Sequence, residues 1–234
     1  MRDHLLPPDL RGTLAHEVMA RTLRRGTPDV PARRWIEARA AQLLAPELDA
    51  EACQATARWA EQLAEVFLES PLAARALAAR TRQPERPLLA PVRLPSGEQV
   101  LLRGTLDLLF LPPGSEEWVL VDYKTGPLRS LSEGEADPEL ASARLEEDAV
   151  QLQLYALLLE SAGVRVGEAW VAYLEPGLAE EVPLDGLRSS ALLQEHLEAR
   201  REQHLPARPG RACQTCPWVD ACDAALVAVE SEAH

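Results

Sequence analysis

The chain has 234 residues, 47% of them hydrophobic, which suits one sizeable core with a small appendage better than two full domains. Its 24 Lys and Arg against 37 Asp and Glu leave a formal charge of −13, which counts against a protein that coats DNA by general electrostatics while permitting a narrow basic groove. No apolar run reaches the roughly eighteen residues of a membrane span, and Met1 to Pro8 holds two prolines where a signal peptide needs an unbroken apolar stretch, so no membrane partner and a cytoplasmic location are expected.

In chain order, residues 11–25 carry Leu14, Ala15, Val18, Met19 and Leu23 at helical spacing, and Gly26 with Pro28 ends the pattern. An alanine-rich helical region follows over about Ala32 to Arg80, as two or three helices broken near Pro46 and Pro71. From Pro87 the period changes to that of strands: Leu88 to Val92, Gln99 to Leu111 and Trp118 to Lys124, separated by Pro-Ser-Gly and Pro-Pro-Gly-Ser turns. Ser130 to Asp148 is acidic and reads as a solvated loop with a short helix at its end. Val150 to Ser161 is a helix ending at Gly163, Glu168 to Tyr173 a strand, and Ser189 to His204 a further helix. A cysteine-rich segment and a short helix from Asp223 close the chain. The expected fold is α/β, a mixed central sheet flanked by helices. It divides into a helical part over 1–86, a core over 87–205 and a cysteine segment with final helix over 206–234.

The acidic residues in two of the strands carry the chemistry. Asp107 stands in a segment apolar on both faces, where a carboxylate is costly unless paired or bound to a cation. The next strand repeats the anomaly with Asp122, and the two-residue period of a strand places Lys124 on the same face. A buried Asp–Lys ion pair would account for either residue singly. Two converging carboxylates with an ammonium favour a hard divalent cation, with the lysine set to orient water or neutralise charge on a phosphate.

Asp107, a spacer of fourteen residues and then Asp122-Tyr-Lys124 resemble the PD-(D/E)XK nuclease signature. The fuller Gly104-Thr-Leu-Asp107 and Val121-Asp-Tyr-Lys-Thr-Gly126 resemble its RecB-like branch, which includes the nuclease domains of AddA and AddB and the CRISPR adaptation nucleases. Gly12-Thr-Leu-Ala-His16 is similar to the branch's GxxxH helix, Glu85-Arg-Pro-Leu to its ExPF segment, and Gln151-Leu-Gln-Leu-Tyr155 to its QxxxY motif. Taken alone, His16 is an ordinary helix histidine, Glu85 a solvated residue, and Gln151 with Tyr155 the polar edge of a core helix.

The resemblance implies a restriction-endonuclease-like core and hydrolysis of DNA, in the manner of a RecB/AddB-type exonuclease in repair and recombination. It implies Mg²⁺ or Mn²⁺ held by Asp107, Asp122, His16 and the carbonyl of Tyr123, with Mn²⁺ favoured by the imidazole. Lys124 would position the attacking water, and Gln151 and Tyr155 would contact the strand or support Lys124. The chain lacks GxxxxGK[ST], so translocation would need a helicase partner; single strands or DNA ends are the expected substrate. An inactive scaffolding module of the same fold, a CRISPR-adaptation-type nuclease and an RNA-directed nuclease are the alternatives.

Cys213, Cys216 and Cys222 have the spacing CxxCx5C, which points to a metal or iron–sulfur site. It resembles the C-terminal triplet of a four-cysteine [4Fe-4S] staple whose fourth ligand lies upstream of the GxxxH helix. No cysteine precedes His16 here. Either Cys53 takes the role, or an N-terminal segment that held the ligand is missing, or zinc is bound with His204 or His234.

Overall fold

The computed structural model describes residues 7–24, 30–43, 50–126, 138–202 and 222. The chain forms two compact units, Met1–Ala191 and Leu192–His234. The first begins with helices α1 (Pro8–Arg24), α2 (Arg33–Leu43), α3 (Ala50–Leu68) and α4 (Pro71–Ala78). In α3, Cys53, Thr56, Ala57, Ala60, Ala64 and Phe67 recur every three or four residues and are buried, the stripe that a helix needs in order to pack on one side. Ser70 caps α4, its hydroxyl accepting from Ala73 N at 3.1 Å, with Pro71 at the first helical position, where its missing N–H costs nothing.

Strands β1 (Thr81–Arg93), β2 (Gln99–Leu111), β3 (Trp118–Lys124), β4 (Val166–Tyr173) and β5 (Leu178–Glu181) form one sheet in that order. Only β3 and β4 pair in parallel, joined through helix α5 (Pro138–Ser161); the other neighbours are antiparallel. Helix α6 (Gly186–Arg201) starts in the first unit and continues into the second. The sheet separates two cores. Leu108, Phe110, Val119, Val121 and Tyr123 pack against α1–α4, while Leu106, Leu109, Leu120, Val171 and Tyr173 pack with Leu152 and Leu159 of α5. This is a mixed α/β fold with helices on both faces, consistent with a restriction-endonuclease-like core. Among the described residues no helix is long and apolar enough to cross a membrane.

Three elements differ from the sequence reading. β1 starts at Thr81 and not at Leu88, running through Pro84, Pro87 and Pro91, because it is the edge strand and an edge can leave the missing N–H groups on its open side. α5 begins at Pro138, where proline and the following Glu139 suit a first helical turn better than a loop. β5 is short and polar, Leu-Ala-Glu-Glu, and has no periodic apolar signal to betray it.

Candidate metal centre and lysine site

The site lies where β2 and β3 part. Their ladder runs only from Leu108↔Val121 to Phe110↔Val119, so the next pair in register would be Asp107 and Asp122. There Tyr123 N donates to the side chain of Asp107, Oδ2 at 2.7 Å, and a carboxylate replaces a backbone carbonyl as the ladder acceptor. Asp107 is 7% exposed and Asp122 is 1% exposed. Tyr123 points into the α1–α3 core, and the pleat therefore turns Asp122 and Lys124 toward α5. The strand ends thus feed two half-sites, one on each face of the sheet.

The α1 half joins His16, Glu85 and Asp107, one ligand atom of each lying within 4.8 Å of the others. His16 Nδ1 is 3.2 Å from Asp107 Oδ1 and 3.9 Å from Glu85 Oε1, and its Nε2 donates to Tyr123 O at 3.1 Å. With Nε2 as donor, Nδ1 faces two carboxylates and needs either a proton or a cation there. Burial opposes the charged ring, but the hydrogen bond and charge of Asp107, with Glu85 and Asp122, outweigh it and raise the His16 pKa. Glu85 has φ 51°, left-handed backbone uncommon in a residue other than glycine, and this turns it out of the β1 pleat toward His16. Its Oε1 is buried with no hydrogen-bond partner, and burial, then Asp107, raises its pKa. An orphaned carboxylate oxygen beside a second carboxylate and an imidazole suits a divalent cation that accepts oxygen and nitrogen donors.

The α5 half centres on Lys124. Its Nζ donates to Gln151 Oε1 at 2.7 Å, lies 2.8 Å from Asp122 Oδ2 and 3.7 Å from Asp148 Oδ1. Asp122 Oδ2 is buried, and the Lys124 ammonium partly offsets the cost of burying it. Gln151 Nε2 donates on to Tyr155 OH at 3.1 Å. Burial, reinforced by the Asp107 charge and only partly offset by Lys124, raises Asp122 to about 6. Burial works against the Lys124 ammonium, yet Asp122 and Asp148 hold its pKa above the ordinary value. Asp148 in turn accepts from Tyr173 OH at 3.1 Å and lies 3.5 Å from Arg144 Nε.

Gly104 sets the place of Tyr155. A Cβ at Gly104 would stand 2.5 Å from Tyr155 Cε1, so the phenol ring lies against bare β2 backbone. Gly104→Ala is expected to displace the ring, to cost about 1–3 kcal/mol of stability by overpacking and to slacken the chain of bonds from Tyr155 through Gln151 to Lys124. Thermal melting checks this, and an unchanged midpoint would show that the ring moves aside freely.

Of the residues singled out in the sequence, His16, Asp107, Asp122, Tyr123, Lys124, Gln151 and Tyr155 all lie at this end of the sheet. Asp122 sits with Lys124 and outside the His16–Glu85–Asp107 group. Glu85, quoted for its motif but left out of the expected ligands, is brought in. Asp148 was missed, although Asp148, Gln151 and Tyr155 at i, i+3 and i+7 fall on one helix face and could have been found. Cys53 is buried in the α3 core. Cys213 and Cys216 lie outside the described residues, as do His204 and His234; Cys222 is described and partly exposed.

A family model for the PD-(D/E)XK nuclease superfamily matches residues 2–223. A search of curated proteins finds no match. Among solved structures 26 chains match, and one, "Crystal structure of SSO0001", is 17% identical with a TM-score of 0.42 over 96% of this chain and 88% of that one.

Proposed function

The chain belongs to the PD-(D/E)XK nuclease superfamily, whose members are metal-dependent nucleases, and from that premise we propose that it is a RecB/AddB-type deoxyribonuclease. Its substrates are single strands or DNA ends, which it degrades as an exonuclease in repair and recombination, supplied by a helicase partner. The observation that carries this reading is the pairing of an oxygen- and nitrogen-donor cluster with a fixed ammonium across the parted strands.

His16 through Nδ1, Glu85 and Asp107 are the groups to hold Mg²⁺ or Mn²⁺, and the imidazole favours Mn²⁺; Asp122, here against Lys124, and the Tyr123 carbonyl, here bonded by His16 Nε2, would join them by rearranging as the cation binds. A divalent cation there supplies Lewis-acid polarisation of a phosphodiester. Lys124, held by Asp122 and Gln151, keeps its proton and presents a fixed positive charge to the oxygens on which negative charge grows as water adds to phosphorus and the ester P–O bond breaks. Tyr155 fixes the rotamer of Gln151, so the ammonium does not reorganise during the reaction. The test is cleavage of end-labelled single- and double-stranded DNA with and without Mn²⁺. No cleavage of either strand form by metal-loaded protein would overturn the enzyme reading.

For Cys213, Cys216 and Cys222 the reading is an iron–sulfur cluster, supported by the CxxCx5C spacing. Anaerobically purified protein is expected to be coloured and to contain iron and sulfide, both lost in Cys213→Ser. Colourless wild-type protein carrying zinc would overturn it.

A further inference from the structure

Beyond the candidate metal centre, β1 and β2 continue as a two-stranded ribbon that no third strand joins among the described residues. β3 pairs with β2 only at Leu108 to Phe110, whereas β1 and β2 stay paired out to Arg93↔Gln99. The pleat changes phase at the site. Leu108 and Phe110 face the α1 side and Leu106 faces α5, while opposite them Arg82 bonds the carbonyls of Ala76 and Leu77 in α4 and Leu88 packs toward α5. Past this point the even positions look toward α5, as the approach of Gly104 to Tyr155 shows. The odd positions, Pro87 to Arg93 and Gln99 to Thr105, therefore look to the side on which His16, Glu85 and Asp107 converge. Every one of them is exposed.

That bare face has an unusual composition. None of its eight side chains is acidic in a chain with 37 Asp and Glu, and two are arginines. Leu89 is 58% and Leu101 68% exposed, and the register sets Leu89 opposite Arg103 and Pro91 opposite Leu101, an apolar patch with Arg103 within it and Arg93 at its outer end. Arg103 has no hydrogen bond or ion pair among the described residues, and Arg93 only reaches Gly97 O at 3.3 Å.

From this we infer that the outer face of the β1–β2 ribbon is an arm that carries the nucleic-acid strand into the metal centre, its phosphates on Arg93 and Arg103 and its sugars and bases against Leu89, Pro91 and Leu101. The inference rests on the nuclease reading above and adds the path of the substrate. Phosphate contacts of this kind set position without reading sequence, and apolar side chains tolerate any base face. The occupant is the substrate and not a partner protein because the cross-strand pair Pro87 and Thr105, the inner end of the face, stands two residues from Glu85 on β1 and two from Asp107 on β2: a protein seated on the face would cover the centre that a phosphodiester must enter. From Glu85 to Arg93 the arm spans about 26 Å at the usual strand rise, or about eight nucleotide steps of a duplex strand.

The test is fluorescence anisotropy of a labelled single strand and of the blunt duplex of the same sequence, in EDTA over a salt series, with the full chain and two double variants. Arg93→Ala/Arg103→Ala is expected to lower affinity about tenfold and to reduce the salt slope by about 1.4 on a single strand or about 1.8 on duplex, the value for two lost phosphate contacts. Leu89→Ser/Leu101→Ser should weaken binding with the slope retained. Circular dichroism melting shows that the variants are folded, and Mn²⁺-dependent cleavage is read on the same samples. Unchanged affinity and slope in the arginine variant, with cleavage by the wild type, overturns the arm and leaves the nuclease reading standing. A lost slope with no cleavage by the wild type supports the arm and overturns hydrolysis. A wild type that neither binds nor cleaves overturns both.

Discussion

Lys124→Ala is expected to lower Mn²⁺-dependent cleavage of DNA by roughly 10²–10³-fold, the range seen when one preorganised electrostatic donor is removed. The ammonium is fixed from three directions, by Gln151 at 2.7 Å, Asp122 at 2.8 Å and Asp148 at 3.7 Å, so its charge is held in place before the reaction and is lost outright with the side chain. The fold should survive. Asp122 loses its compensating charge, but a carboxyl already raised to about 6 by burial and by Asp107 can take up a proton instead of remaining a buried unpaired charge. Single-turnover cleavage and a thermal melt together make the check. Retention of more than about a tenth of wild-type activity would remove Lys124 from the chemistry.

Metal affinity should depend steeply on pH. Cation and protons compete for the same groups: Asp122 at about 6, Glu85 raised by burial and then Asp107, and His16 raised because Asp107, Glu85 and Asp122 together overcome its burial. In each case the folded pKa lies above the ordinary value. Without metal the site therefore contributes most to stability on the acidic side and loses that contribution as pH rises through about 6 for Asp122, and above 6.5 for His16. A bound cation reverses the trend by replacing the repulsion among the carboxylates with attraction. Titration calorimetry is expected to show Mn²⁺ affinity falling more than about tenfold from near pH 7.5 to near pH 5.5, and the gain in melting temperature on adding Mn²⁺ should shrink in parallel. Affinity independent of pH over that range would mean that these groups are not the ligands.

The likeness to RecB-type nucleases rests on short motifs, and what each discloses follows from its local geometry. Asp122 and Lys124 share a face because successive strand residues alternate, and Gln151 and Tyr155 share a face because a helix turn brings positions four apart together. Both pairs meet in the structure, through Asp122 with Lys124 at 2.8 Å and Gln151 with Tyr155 at 3.1 Å.

Local periodicity in the sequence determined the β2 and β3 strands, the core half of α5 and the pairing of residues within each element, since those depend on neighbours within a few positions. Tertiary structure alone decided what lies between elements. Asp107 takes over a ladder hydrogen bond from the backbone because β2 and β3 part just beyond Leu108. Glu85 becomes a candidate ligand because left-handed backbone at that one position turns it toward a helix histidine far away in sequence. The prolines of β1 are tolerated because that strand ends up at the sheet edge, and the outer face of its ribbon with β2 stays bare because β3 stops short of it. None of these leaves a mark on periodicity, because each depends on where a distant segment packs and not on the pattern of the segment itself.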